Sequence, residues 1–244
     1  MNNTVNVAWM YPDILNLHGE RANAKAFELI SKKMKVKLNI DRIDDIDEKV
    51  DFDKYDILLF NPGELRVINA LSNILYNQKD QLNKYIKDGK IIFITGTTGA
   101  LFAKNIQRLD GEVFNGLNIL DMDAKERNMV IGDDLYYTFN KMDIMASQIQ
   151  MIDITLNNVK PFANIKYGYG NNGTSVEGAR YKNVIFTNAL GPVLVKNPWF
   201  TEYLIKLACK NKKMKLKTNK ISYDLERKSL ASAKEFIDKK LNEK

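Results

Sequence analysis

The chain has 244 residues, 45% of them hydrophobic and 27% charged, with a formal net charge of +7. That suits one large domain or two small ones of an ordinary folded protein. No apolar run approaches the roughly 18 residues of a membrane-spanning helix, and no basic segment leads into a long apolar core at the N-terminus. A single cysteine, Cys209, excludes an internal disulfide and a cysteine-based metal cluster. Neither a cofactor nor a metal is expected, and the expected compartment is the cytoplasm. Much of the positive excess lies in Lys206 to Lys220, KLACKNKKMKLKTNK, where no aromatic residues alternate with the lysines. Without such a stacking platform the tract reads as a solvated helix end and linker, not a nucleic-acid surface.

Taken in order, Val5 to Met10 is a short apolar strand stopped by Tyr11-Pro12. Residues 13–19 (DILNLHG) form a loop at its carboxyl end, carrying Asn16 and His18. Ala22, Ala26, Phe27, Leu29 and Ile30 recur at helical spacing in Glu20 to Met34. Val36 to Ile43 alternates apolar and polar residues, as a half-exposed edge strand does. Tyr55 to Phe60 (YDILLF) is continuously apolar, which predicts a central strand covered on both faces, ending at the turn Asn61-Pro62-Gly63-Glu64. One long helix is predicted over Arg66 to Lys87, capped by Gly89.

Next comes Lys90 to Lys104, KIIFITGTTGALFAK. It reads as a buried strand, a sharp turn at Thr95-Gly96-Thr97, and a helix opening at Thr98. Ligand and nucleophile sites in α/β proteins are placed at such corners. Beyond Gly111 short strand-like segments follow: 113–114, 117–120, 128–131, 135–139, 149–156 and 165–169. They predict a more antiparallel continuation of the same domain. Residues 167–172 (YGYGNN) either line a binding cleft or, the preferred reading, form a tight turn with positive backbone angles. Val184 to Thr187 is another buried strand, ending at Asn188-Ala189-Leu190. Pro198 to Lys210 is a helix anchored by Trp199, with Cys209 as a small core or surface residue and not a nucleophile. Met214 to Tyr223 is an extended basic connector. Asp224 to Asn242 is an amphipathic helix with Leu225, Leu230, Ala233, Phe236, Ile237 and Leu241 on one face. It packs either on the body or against a partner. Residues 1–212 are thus expected to form the main domain, with 213–244 as connector and terminal helix.

Several segments carry a family likeness, in one order along nearly the whole chain. They are YPDILNLHGERAN (11–23), YDILLFNPG (55–63), Lys90 to Leu101, GLNILD (116–121), YGYGNNGTSVEG (167–178), YKN (181–183) and LGPVLVKNPWFTEYL (190–204). On these the sequence resembles the triad-type, class I glutamine amidotransferases of the CobB/CobQ-like branch. Within that branch it is most similar to the GatD-type glutaminase subunits of lipid II isoglutaminyl synthase. The resemblance implies an α/β, flavodoxin-like fold: a mainly parallel sheet flanked by helices, with an antiparallel extension.

In that family the corner after the central strand is a nucleophile elbow reading roughly Cys-Gly-Gly-Tyr-Gln. The cysteine attacks the glutamine amide, a histidine just before a Gly-Pro pair is its base, and a glycine-rich turn supplies oxyanion donors. The resemblance sets the cysteine position at Thr95 and the histidine position at Leu190. The oxyanion turn becomes Asn61-Pro62-Gly63-Glu64, where proline removes one amide donor. A downstream Glu-Asn-His patch corresponds to Ser147-Gln148-Ile149. Aligning Thr97 or Thr98 with the nucleophile restores no base, and the only histidine, His18, does not match the catalytic one.

The expectation is therefore a catalytically degenerate GatD-like subunit with no intact catalytic residue. Any remaining ligand contacts, to a glutamine-like molecule, would fall on Asn16, Gly63, Gly96 and Thr97. The implied partner is a Mur-ligase-like, ATP-using (MurT-type) protein subunit in cell-wall peptide amidation, in a heterodimer. The rival expectations are an active amidotransferase subunit with a relocated mechanism and a sensor of a glutamine-like molecule.

Overall fold

Apolar strand residues on alternating sides of one sheet build the body of the molecule. The structure, a computed structural model, describes residues 4–46, 48–216 and 221–242. Five strands run parallel: β1 (Thr4–Met10), β2 (Lys37–Ile43), β3 (Ile57–Phe60), β4 (Ile91–Thr95) and, from late in the chain, β12 (Val184–Thr187). The antiparallel β11 (Ala179–Tyr181) closes the edge, giving the order β11-β12-β4-β3-β1-β2. Successive side chains of a strand point to opposite faces. Leu58, Phe60, Ile92 and Ile94 therefore pack on one side, against α2 (Leu65–Tyr76), α3 (Lys79–Lys87) and α4 (Gly99–Phe102). Ile57, Leu59, Ile91 and Phe93 pack on the other, against α1 (Ala22–Met34) and α6 (Pro198–Asn211), the latter preceded by the single turn α5 (Val193–Lys196). As expected, β2 is the edge strand and Trp199 anchors the start of α6 through its indole N–H on the Asp143 carbonyl; Cys209, open between core and surface on sequence, is buried in the second core.

Two expectations are corrected. The predicted long helix from Arg66 to Lys87 is two helices, α2 and α3, interrupted at Asn77-Gln78. Leu75 and Leu82 keep heptad spacing across the break, so the apolar period hides it. Asn77 is a weak helix former whose side chain competes for backbone hydrogen bonds.

The strands beyond Gly111 form the expected, mostly antiparallel continuation, but not every predicted segment is a strand. They belong to a second sheet of seven strands. It holds β5 (Asn105–Gln107), β6 (Val113–Asn115), β7 (Met122–Phe139), β8 (Met142–Leu156), β9 (Ala163–Tyr167), β10 (Val176–Glu177) and β13 (Ala189–Leu190). Four of the predicted segments lie in the long β7–β8 hairpin or in β9, and residues 117–120 are not a strand. The hairpin turns on Asn140-Lys141, both at positive φ (46° and 63°). This is the twist-matched two-residue turn. The ladder slips between Glu126 and Ile131, leaving a bulge beside the cleft described below.

The terminal helix α7 (Asp224–Asn242) lies on the second sheet. Ile237 is buried against Tyr136, Met145 and Tyr167, with Leu230 and Ala233 alongside. Lys234 pairs with Asp143 and Lys240 with Asp133. Leu225, Phe236 and Leu241, predicted on the same face, remain exposed. Part of the expected basic connector, residues 217–220, lies outside the described residues. No described helix is long and apolar enough to cross a membrane.

Candidate active-site cleft

The carboxyl ends of β3 and β4 and the segment after β12 converge, as the topology of an open parallel sheet requires. The corner after β4 is built as a strand, one turn of 3-10 helix over Gly96–Thr98, and α4. Its turning point is Gly96, with φ +60°; Thr95 has the extended angles of a strand residue, φ −124° and ψ 144°. The strained position of this elbow is thus one residue beyond Thr95. A Cβ on Gly96 would lie 2.9 Å from the Cβ of Pro62 and 3.2 Å from a methyl of Leu190. The three residues close on one another.

The threonines of the corner are all engaged with backbone. The Thr95 hydroxyl is fully buried and points to the Phe60 carbonyl at 3.5 Å. Thr98 donates to the Asn61 carbonyl (2.8 Å) and accepts from the Gly63 amide (3.2 Å). Thr97 donates to the Gly63 carbonyl (2.5 Å). The one N–H that the Pro62-Gly63 turn retains is therefore already satisfied by a side chain. A hydroxyl so engaged, with no base beside it, is a poor nucleophile.

Leu190 is buried in β13, paired antiparallel with Ser147 of β8. The residues at 147–149 diverge in role. The Ser147 hydroxyl accepts from the Lys196 ammonium at 2.9 Å. Gln148 is buried in an amide chain with Gln150, the Tyr169 amide and the Gly170 carbonyl. Ile149 faces the cleft. The 167–173 turn is tight as expected, with Gly168, Gly170 and Gly173 at positive φ.

Beside the corner lies a cleft of about 320 Å³. Leu17, Pro62, Leu65, Ile149, Met151 and Leu190 give it an apolar lining, and Gly63 and Thr97 also border it. At its rim Arg66 pairs with Glu64, and Arg108 with Glu126 at 2.7 Å. His18 stands at the mouth, exposed and at φ +58°. Asn16 does not line the cleft; its amide oxygen accepts from Arg21. Arg108, Glu126, Ile149 and Met151 come from the second sheet and its approaches. The sequence carried no signal for them, because the β7–β8 hairpin that brings them here read as unconnected pieces.

Behind the cleft, Glu20 and Asn23 tie three elements together. The fully buried Glu20 carboxylate accepts from the Gly191 amide (2.5 Å) and from Asn23 (2.6 Å). Asn23 also donates to the Asn61 side chain and accepts from the Leu194 amide. Burial pushes the Glu20 carboxyl up to about 7, against the pull of the Gly191 and Asn23 hydrogen bonds and the Lys196 charge. This network fixes where Leu190-Gly191 stands relative to the Asn61-Pro62 turn.

No protein-family profile matches the chain. Curated relatives do. The lipid II isoglutaminyl synthase subunit GatD of Staphylococcus aureus is 29% identical over 216 residues, 88% of each chain. The GatD subunit of Streptococcus pneumoniae is 26% identical over 224 residues, 85% of this chain and 82% of its own. Among solved structures, a glutamine amidotransferase superposes with a TM-score of 0.56 at 16% identity, covering 82% of this chain and 98% of that one. The glutaminase domain of Trypanosoma brucei CTPS gives 0.50 at 12% identity, covering 90% and 98%. The chain thus has the fold of glutamine amidotransferases and a sequence similar to the GatD subunits over most of its length.

Proposed function

We propose that this chain is an amidotransferase subunit of lipid II amidation that has lost glutaminase chemistry. It serves as a structural or regulatory partner of an ATP-using, Mur-ligase-like subunit, in a cytoplasmic heterodimer. The relatedness to GatD supports the pathway. The observation that carries the loss of chemistry is the elbow itself. A nucleophile elbow presents its side chain from the strained residue between strand and helix. We take that residue to be Gly96, which has no side chain, in place of Thr95. The space in front of it is filled by Leu190 and Pro62. The base position is an alkyl group, and the chain's only histidine is at the cleft mouth. The Gly63 amide, the remaining oxyanion donor, is bound by Thr98.

An apolar cleft whose rim charges are paired offers little to a glutamine side chain, which argues against a sensor of a glutamine-like molecule. The test is reconstitution with the Mur-ligase-like protein encoded nearest to this chain. Lipid II amidation is expected with ammonium and ATP, and not with glutamine and ATP. Glutamine-supported amidation at a rate comparable to ammonium would refute the reading.

A further inference from the structure

At the far end of the parallel strands from the elbow lies a second cavity, of about 450 Å³. It is set between the end of β7, the segment 160–164 and the β11–β12 turn. Lys160, Arg180 and Lys182 line it, with Phe139 and Phe162 as buried aromatic walls and Thr138, Asn140 and Asn164 as polar ones. None of the lining residues among those described is acidic.

The cations are arranged at a cost. Lys160 and Arg180 face each other across an isolated antiparallel bridge, the Arg180 amide donating to the Lys160 carbonyl at 2.8 Å. Like charges directly opposite one another destabilise a strand pair. The Lys160 side chain has no hydrogen-bond or ion-pair partner among the described residues. The Arg180 guanidinium is held over the Phe139 ring, 5.3 Å from its centroid, and its Nε donates to the Lys182 carbonyl at 3.0 Å. That fixes the plane of the fork and leaves both terminal NH2 groups for a ligand. A planar guanidinium so oriented suits bidentate contact with phosphate oxygens, and two lysines add point charges on either side.

We propose that this cavity is a binding site for a small phosphate-bearing polyanion, of the size and charge of a pyrophosphate group. The guanidinium of Arg180 grips one phosphate, and Lys160 and Lys182 neutralise the rest. A concave site walled by buried rings favours a small molecule over an extended acidic peptide, because the outer edge of β11 at Arg180 is already bridged by Lys160. The site is remote from the cleft, and the proposal does not depend on whether glutaminase chemistry has been lost.

The test is calorimetric titration of the full chain with phosphate, pyrophosphate, metal-free ATP and citrate, and with an Asp/Glu-rich peptide, at low salt. Pyrophosphate is expected to bind saturably. Arg180→Gln should weaken it about tenfold or more, and Lys160→Gln and Lys182→Gln several-fold each. Lys37→Gln, on the opposite sheet edge, should leave binding unchanged. An independent readout needs no ligand: Lys160→Gln should raise the Tm of the free protein by about 1–2 °C, because it removes the opposed charge. No saturable pyrophosphate binding at millimolar concentration would overturn the proposal. So would binding undiminished in Arg180→Gln, citrate or the acidic peptide binding more tightly than pyrophosphate, or a Tm of Lys160→Gln that falls.

Discussion

Gly96→Ala tests the sealing of the elbow. Two costs follow from the geometry. At φ +60° a Cβ costs about 1 kcal/mol or somewhat more, because it approaches the following carbonyl. The same Cβ meets Pro62 at 2.9 Å and Leu190 at 3.2 Å, closer than ordinary van der Waals contact. Overpacking of this degree costs about 1–3 kcal/mol. The sum is about 2–4 kcal/mol, or a Tm lowered by roughly 5–15 °C for a chain of this size. Urea denaturation should show the midpoint falling with m unchanged. The steric part belongs partly to Leu190, so the effects of Gly96→Ala and Leu190→Ala should not add. In a double-mutant cycle the double variant should lose at least about 1 kcal/mol less than the sum of the two single losses. The reasoning is refuted if Gly96→Ala lies within about 0.5 kcal/mol of wild type, or if the two changes add.

Three further predictions concern the surroundings. Thr98→Val keeps the shape but leaves the buried Gly63 amide and Asn61 carbonyl without their partner. It should cost about 3 kcal/mol in urea denaturation, with Thr98→Ser recovering most of the loss. Glu20 supplies a pH dependence. Its carboxyl is raised in the fold from an ordinary 4.5 to about 7, so the protonated form is favoured by folding. The associated stability, at most about 3 kcal/mol, is complete below pH 4.5 and lost as pH rises through about 7. Thermal unfolding followed from pH 4.5 to 8 should show that slope in the wild type and a flatter one in Glu20→Gln; equal slopes would remove Glu20 from the account. Finally, Ile237→Asp puts a charge where α7 meets Tyr136, Met145 and Tyr167. Limited proteolysis should then cut within or before α7 and leave the rest of the chain intact. Cleavage throughout the chain at the same rate would show that α7 is not separable.

The first sheet was legible because its strands are covered on both faces. Residues 55–60 and 91–94 are uninterrupted apolar runs, and those have few alternative readings. The edge strand β2 showed itself through its alternation. The second sheet was not legible as such. Much of β7 is polar and exposed, its bulge breaks the period, and its turn is Asn-Lys, where Asn-Gly would have announced a hairpin. The helix break at Asn77 hid under an intact apolar spacing. At the cleft, the motifs located the three converging turns. The turning residue was not distinguishable among Thr95, Gly96 and Thr97, because the sign of φ is set by how β4 feeds into the 3-10 turn. The apolar lining from Ile149 and Met151 depended on a hairpin the sequence did not declare.

The central claim is that no nucleophile remains at this elbow. It is tested most directly by measuring glutamate release from glutamine by the purified chain, alone and mixed with the proposed Mur-ligase-like partner. The account predicts release indistinguishable from a no-protein control in both states. Turnover that rises on partner binding and is abolished by Thr95→Val or Thr97→Val would contradict it.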